Sequence, residues 1–272
     1  MKILVAGAGH MGSWFVESLC LDHEVAVYDK VPHKLKYFFH SRKLLHPEEI
    51  GAFAPEMMIN AVNLQHTRQA FDELIPYLPE GCILSDLASV KNGLRAYYAE
   101  AGFPYVSTHP MFGPTFANVK ALRNQNAIII TGGSAEGEQF YREFYRSLGL
   151  NIFYYSFDEH DRVIAYSLSI PFVSTMVFAA CMKQQEVPGT TFRKHLDIAH
   201  GLLSEDSYLL SEILLNPHTL EQVEKVYYQL KEVMDMIGRK DTPSLHAFFD
   251  RLRQNVGMGK NLPEGKDQLS NR

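Results

Sequence analysis

The sequence predicts an α/β fold in which a parallel sheet wrapped by helices is followed by an all-helical part. Two observations carry this. Over the first 156 residues, short β-rich runs alternate with stretches of helical periodicity, the pattern of βαβ units. Beyond Ser156 no convincing strand remains, and long apolar periodicities at helical spacing take over. With 272 residues, 46% of them hydrophobic, the chain can bury cores for two domains. The expected division is 1–156, 157–256 and a polar tail at 257–272.

The elements follow in order. Strands are expected at 2–6, 24–29, 57–61, 82–86, 105–107, 127–131 and 152–155, and helices between them at 11–21, 67–78, 93–101 and 135–148. Gly and Pro mark several joints, as at Pro79-Glu80-Gly81 and Gly132-Gly133. In the second part, Ser204-Glu205-Asp206 reads as a helix start with Tyr208, Leu209 and Ile213 on one face, and 220–237 is a second amphipathic helix. Twenty uncharged residues at 163–182 match the length of a membrane span. Pro171 and the interspersed Ser and Thr favour a helix buried inside a protein or at a subunit contact, with no membrane partner.

Bulk properties narrow the function. A net charge of −5 argues against nucleic acid, which needs concentrated Lys and Arg. Cys20, Cys82 and Cys181 lie far apart in apolar stretches and read as reduced core thiols, so neither a disulfide framework nor a metal site is expected. The first residues run straight into an apolar strand and glycines without a signal peptide, and a cytoplasmic location is expected.

The first site signal is Gly7-Ala8-Gly9-His10-Met11-Gly12, placed after an apolar strand and opening a helix. Gly7 suits a tight turn, Gly9 lets a pyrophosphate approach the backbone, and Gly12 lets helix and strand pack closely. Free N–H groups of the first helical turn, His10 and Met11 among its residues, would face the phosphates. Asp29, about twenty residues on, is placed to accept hydrogen bonds from ribose hydroxyls. These residues predict a Rossmann-type dinucleotide-binding domain with NAD favoured over NADP, a preference that Lys30 weakens. The alternative is a chance glycine turn and a surface aspartate.

Two further segments leave strand ends on the same sheet edge: Asp86-Leu87-Ala88-Ser89-Val90-Lys91-Asn92-Gly93 and Ser107-Thr108-His109-Pro110-Met111-Phe112-Gly113-Pro114. A histidine between a strand end and a proline, beside a nicotinamide, suits general acid–base work. The bland readings are a buried structural histidine for His109, a helix cap for Ser89 and a solvated helix residue for Lys91. These segments, with Glu159-His160-Asp161-Arg162, resemble the prephenate dehydrogenase family over roughly residues 1–255. For His160-Asp161 the start of a helix is an equal alternative.

The resemblance implies NAD-dependent oxidative decarboxylation of a small-molecule substrate, prephenate, on the way to tyrosine. It implies that His109 takes the ring hydroxyl proton while Ser89 orients that histidine or touches the same hydroxyl. It also implies a helical dimerisation domain and a homodimer. The pattern departs where the family holds cations for substrate carboxylates. Two family histidines fall on Ser169 and Phe172, and a family arginine falls on Gly201. Arg193, Lys194 and His200 are the nearby substitutes, or simply a solvated basic surface. Arogenate therefore stays open as substrate, as do a dehydrogenase of another small acid and a non-catalytic NAD-binding protein.

Overall fold

A computed structural model describes residues 1–112, 122–123, 125–183, 187 and 189–257. Gly113 and Pro114 of the histidine segment, and the polar tail beyond Gly257, lie outside the described residues.

The strands are β1 (Lys2–Ala6), β2 (Glu24–Tyr28), β3 (Arg42–Leu44), β4 (Met57–Asn60), β5 (Ile83–Asp86), β6 (Tyr105–Pro110), β7 (Asn126–Ile130) and β8 (Asn151–Tyr155). They form one sheet in the order β3-β2-β1-β4-β5-β6-β7-β8. Pairing is parallel from β3 through to β6, antiparallel between β6 and β7, and parallel again between β7 and β8. The chain order reverses between β1 and β4, which opens a crevice at their carboxyl ends. Two features depart from the expectation. The edge strand β3 was not foreseen, because only Leu44 of its three residues is buried. The antiparallel β6–β7 pair breaks the expected all-parallel sheet.

Alternate residues of the central strands enter two cores, one on each face. Ile3, Val5, Val27 and Ile59 pack with Phe15 and Leu19 of α1 (His10–Leu19) and with Tyr141 and Tyr145 of α5 (Ala135–Ser147). Leu4, Ala6, Met58 and Leu84 pack with residues of α2 (Glu49–Phe53), α3 (Thr67–Leu74) and α4 (Leu94–Ala101). The helix expected at 67–78 gives way at Ile75 to a 3₁₀ turn, Ile75–Tyr77, where Pro76 cannot donate a further helical bond.

Downstream the chain is helical, as expected. A reciprocal capping box between Ser156 and Glu159 starts α6 (Phe157–Ile164). A π-helical stretch, Ala165–Ser169, links it to α7 (Ile170–Cys181), which has Pro171 in its first turn where a missing N–H is tolerated. Then come α8 (Thr190–Leu203), α9 (Ser207–Leu214), α10 (Thr219–Arg239) and α11 (Thr242–Asn255). Asp206 caps α9 by accepting from the N–H groups of Tyr208 and Leu209.

The chain divides into two compact units, Met1–Leu220 and Glu221–Arg272. The helix that follows the expected division at 156, α6, packs directly on β7 and β8. Within the second unit Arg251 pairs with Glu232 at 2.8 Å. The run Phe157–Cys181 is long and apolar enough to cross a membrane, yet only 17% of its apolar window is buried. Burial inside this chain, one of the two expected settings for it, is therefore not its state. Cys181 is likewise exposed instead of in the core, whereas Cys82 is buried, which pushes its thiol up to about 12.

Candidate active site

The crevice between β1 and β4 is built by the glycine loop. Gly7 has φ +104°, and a Cβ there would press on the Ala61 carbonyl at 2.9 Å. A Cβ on Gly12 would collide with the Gly7 carbonyl oxygen, so helix α1 approaches the loop only through a glycine. Gly9 is different: nothing lies within 4 Å of its would-be Cβ. It is the N-cap of α1 with no side-chain bond to the first turn, which leaves backbone N–H groups for an anion. His10 is exposed at the first helical position, whereas Met11 is half-buried against the core.

Asp29 follows β2 and is nearly buried. Its Oδ2 accepts from Ala8 N at 2.8 Å and its Oδ1 from Val31 N at 2.8 Å. The resulting cleft, about 280 Å³, is lined by Gly7, Gly9, Asp29, Lys34, Ala61 and Val62 among others. These features fit a dinucleotide: a bare backbone where phosphates lie, and a carboxylate beyond the second strand.

The second half of the site lies at the ends of β5 and β6, where Asp86 stands in register with Ser107. Asp86 is fully buried. Its Oδ1 accepts from Ala88 N at 3.0 Å and from Lys91 Nζ at 2.6 Å, and its Oδ2 from the Tyr98 hydroxyl at 2.7 Å. The same Lys91 ammonium donates to the Thr108 carbonyl at 2.7 Å. Lys91 is therefore no solvated helix residue: it is 1% exposed and staples the Ser89 loop to the residue before His109. Burial pulls its pKa below the usual lysine range, with Asp86 opposing.

Ser89 is half-buried, and its hydroxyl has no hydrogen-bond partner among the described residues. The capping alternative for Ser89 fails, because the next helix begins at Leu94 behind Gly93, whose φ of +70° makes the turn.

His109 is 7% exposed on β6. Its Nδ1 lies 3.0 Å from Nε2 of His160, which is fully buried in α6, and Nδ1 of His160 lies 3.1 Å from Asp161 Oδ1. A carboxylate only accepts, so the proton on His160 belongs on Nδ1. His160 Nε2 then accepts from His109 Nδ1–H, and the lone pair of His109 is left on Nε2. Burial, the neighbouring His160 and the Lys91 ammonium hold His109 well below the ordinary histidine pKa. Burial also lowers His160, against the pull of Asp161. The arrangement is a neutral imidazole with a fixed tautomer, able to accept one proton at Nε2.

The position of Asp161 is itself held, since Asn216 Nδ2 donates to its carbonyl at 3.0 Å. His160, Asp161 and Asp86 were not among the expected site residues. The His160-Asp161 signal was visible in the sequence, but its partner lies 51 residues away. Arg193, Lys194 and His200 are exposed on α8, and no hydrogen bond or ion pair joins them to His109 among the described residues. Ser169 is buried and bonds the Thr219 hydroxyl at 2.7 Å, a helix-packing contact.

Residues 50–147 match the family model of the prephenate dehydrogenase nucleotide-binding domain. The chain is 27% identical over 266 residues to the T-protein of Enterobacter agglomerans, covering 94% of this chain and 67% of that protein. Its fold matches a prephenate dehydrogenase from A. aeolicus, solved in complex with hydroxyphenyl propionate and NAD+, with a TM-score of 0.80 at 18% identity; the match covers 94% of this chain and 97% of the other. It also matches Synechocystis arogenate dehydrogenase, with a TM-score of 0.76 at 16% identity over 94% of this chain and 99% of the other. The motifs, the family model over residues 50–147, the curated relative and the shared fold all point to the prephenate/arogenate dehydrogenase family.

Proposed function

We propose that the chain catalyses the NAD-dependent oxidative decarboxylation of prephenate to 4-hydroxyphenylpyruvate in tyrosine biosynthesis, as a cytoplasmic enzyme. One observation carries the reading: the Asp161–His160–His109 chain, which leaves a basic nitrogen on the sheet edge that also holds the glycine-loop cleft. NAD, when bound, supplies the hydride acceptor. His109 Nε2 accepts the proton of the substrate's ring hydroxyl as the carbon bearing it is oxidised, and carbon dioxide leaves as the ring becomes aromatic. His160 keeps His109 Nδ1 protonated, so that Nε2 always faces the substrate as an acceptor. Ser89, with an uncommitted hydroxyl, contacts the same substrate oxygen or steers His109. Gly7, Gly9, His10, Met11, Gly12 and Asp29 hold the dinucleotide.

A second reading, arogenate as substrate, is favoured by Gly201, where the family carries an arginine for a substrate carboxylate. Under the prephenate reading Arg193, Lys194 or His200 supplies that charge. The apolar helix α7, none of whose residues is buried, supports a homodimer in which a second copy covers it, and Pro171, Ser174 and Thr175 within it favour a protein partner over lipid.

The deciding experiment follows NADH formation with prephenate and with arogenate, using wild type and His109→Asn. Turnover of prephenate, reduced by about 10²- to 10⁴-fold in the variant, is the expected result. Turnover of arogenate alone selects the second reading, and NADH formation with neither acid refutes both. Sedimentation at micromolar concentration tests the dimer, and a monomer there would overturn it.

A further inference from the structure

We infer that the nucleotide cleft also accepts a 2′-phosphorylated dinucleotide, and that Lys34 sets the balance between the two cofactor forms. This rests on the reading of the cleft as a dinucleotide site. A carboxylate beyond the second strand ordinarily selects the unphosphorylated ribose, since it accepts from the sugar hydroxyls and repels a phosphate. Asp29 is only partly free to act in that way.

Its two oxygens already serve three donors: Val31 N on Oδ1, and Ala8 N and Lys34 Nζ, the latter at 3.5 Å, on Oδ2. A carboxylate offers about four acceptor positions, so one remains where two ribose hydroxyls would need two. The backbone bonds have a structural task, closing the glycine loop and the turn after β2. The third partner is the adjustable one. Lys34 Nζ, on a half-exposed side chain, offsets the charge of Asp29, and Lys30 lines the same cleft. The other ionisable groups lining it are Tyr28, Glu73 and His66. Two ammonium groups therefore flank a carboxylate that one of them already pairs. A 2′-phosphate meets charge-assisted donors where an unpaired aspartate would repel it. With an unphosphorylated ribose bound, Lys34 competes with the sugar for Asp29.

The test is fluorescence titration of NADH and NADPH onto wild type, Lys34→Glu and Lys34→Arg, read as the ratio of the two dissociation constants. Wild type is expected to bind NADPH within about tenfold of NADH. Lys34→Glu should raise the NADPH/NADH ratio by about tenfold or more, and Lys34→Arg should keep it near wild type. Wild-type NADPH binding more than about a hundredfold weaker than NADH, or a ratio unmoved in Lys34→Glu, overturns the inference while leaving the dinucleotide site standing. Failure of both nucleotides to bind removes the dinucleotide reading itself.

Discussion

His160 gives the most direct test of the site geometry. Replacing it with Leu keeps an apolar group of comparable bulk in α6 but removes the acceptor 3.0 Å from His109 Nδ1. A neutral imidazole can place its proton on either nitrogen. In the wild type the buried acceptor fixes it on Nδ1. Without that acceptor, a proton on Nδ1 becomes a buried unsatisfied donor, at a cost of about 1–3 kcal/mol. The alternative tautomer carries its proton on Nε2, where the base needs a lone pair. The productive fraction, and with it kcat, should fall about 5- to 150-fold.

His160→Gln, whose carbonyl can stand near the former Nε2, should recover most of the loss. Steady-state NADH formation gives the rate, while the dissociation constant for NADH, bound in a cleft that does not include His160, controls for damage to the fold. A Leu variant within twofold of the wild-type kcat, or a Gln variant as impaired as Leu, would refute the tautomer argument.

Three other outcomes follow from the same geometry. Lys91→Met leaves Asp86 buried with only a tyrosine hydroxyl and one amide. It should destabilise the protein by about 3–5 kcal/mol in denaturant unfolding, and Asp86→Asn in the same background should restore part of that. Gly12→Ala should lower the melting temperature sharply through its clash with Gly7, while Gly9→Ala, with open space around it, should leave melting unchanged and weaken NADH binding; equal effects in both assays would contradict the division of labour. Since the base works only as neutral imidazole and its pKa is lowered, activity should persist as pH drops through 6.5 and fail only below it. The same shift makes the folded state lose stability as pH falls from 6.5 towards that lowered value, because the unfolded histidine takes up its proton first. An acid limb in kcat/KM at or above 6.5 would contradict the burial argument.

Much of the sheet was legible because its strands are short apolar runs between turn residues, and the glycine loop fixed where the first helix begins. What escaped was tertiary in origin. The strand Arg42-Lys43-Leu44 carries two charges and one buried side chain, so its local pattern resembles a loop; only pairing with β2 makes it a strand. The reversal of β7 leaves no trace in the run Asn126-Ala127-Ile128-Ile129-Ile130, whose apolar pattern carries no direction. The division at 156 followed a true change from mixed to helical pattern. Yet Phe157 is buried with the sheet's own core residues, so the first helix past that change folds as part of the sheet unit.

The site divides along the same line. Gly7, Gly9, Gly12 and Asp29 were readable because their spacing is local and each has a stereochemical reason. Lys91 was misjudged because a lysine beside asparagine and glycine ordinarily points to water. The signal that it does not was the aspartate five residues earlier, which makes burial of the pair tolerable. That pair also explains why His109 stays neutral. An ammonium held beneath the Thr108 carbonyl disfavours a second positive charge on the next residue, and the proton that His109 takes in the reaction is therefore weakly held. The backbone before His109 is fixed from the β5 loop and its ring from α6, two elements separated in sequence by five described strands and helices. A base held on both sides in this way needs no movement of its own to stay aligned while the substrate is oxidised.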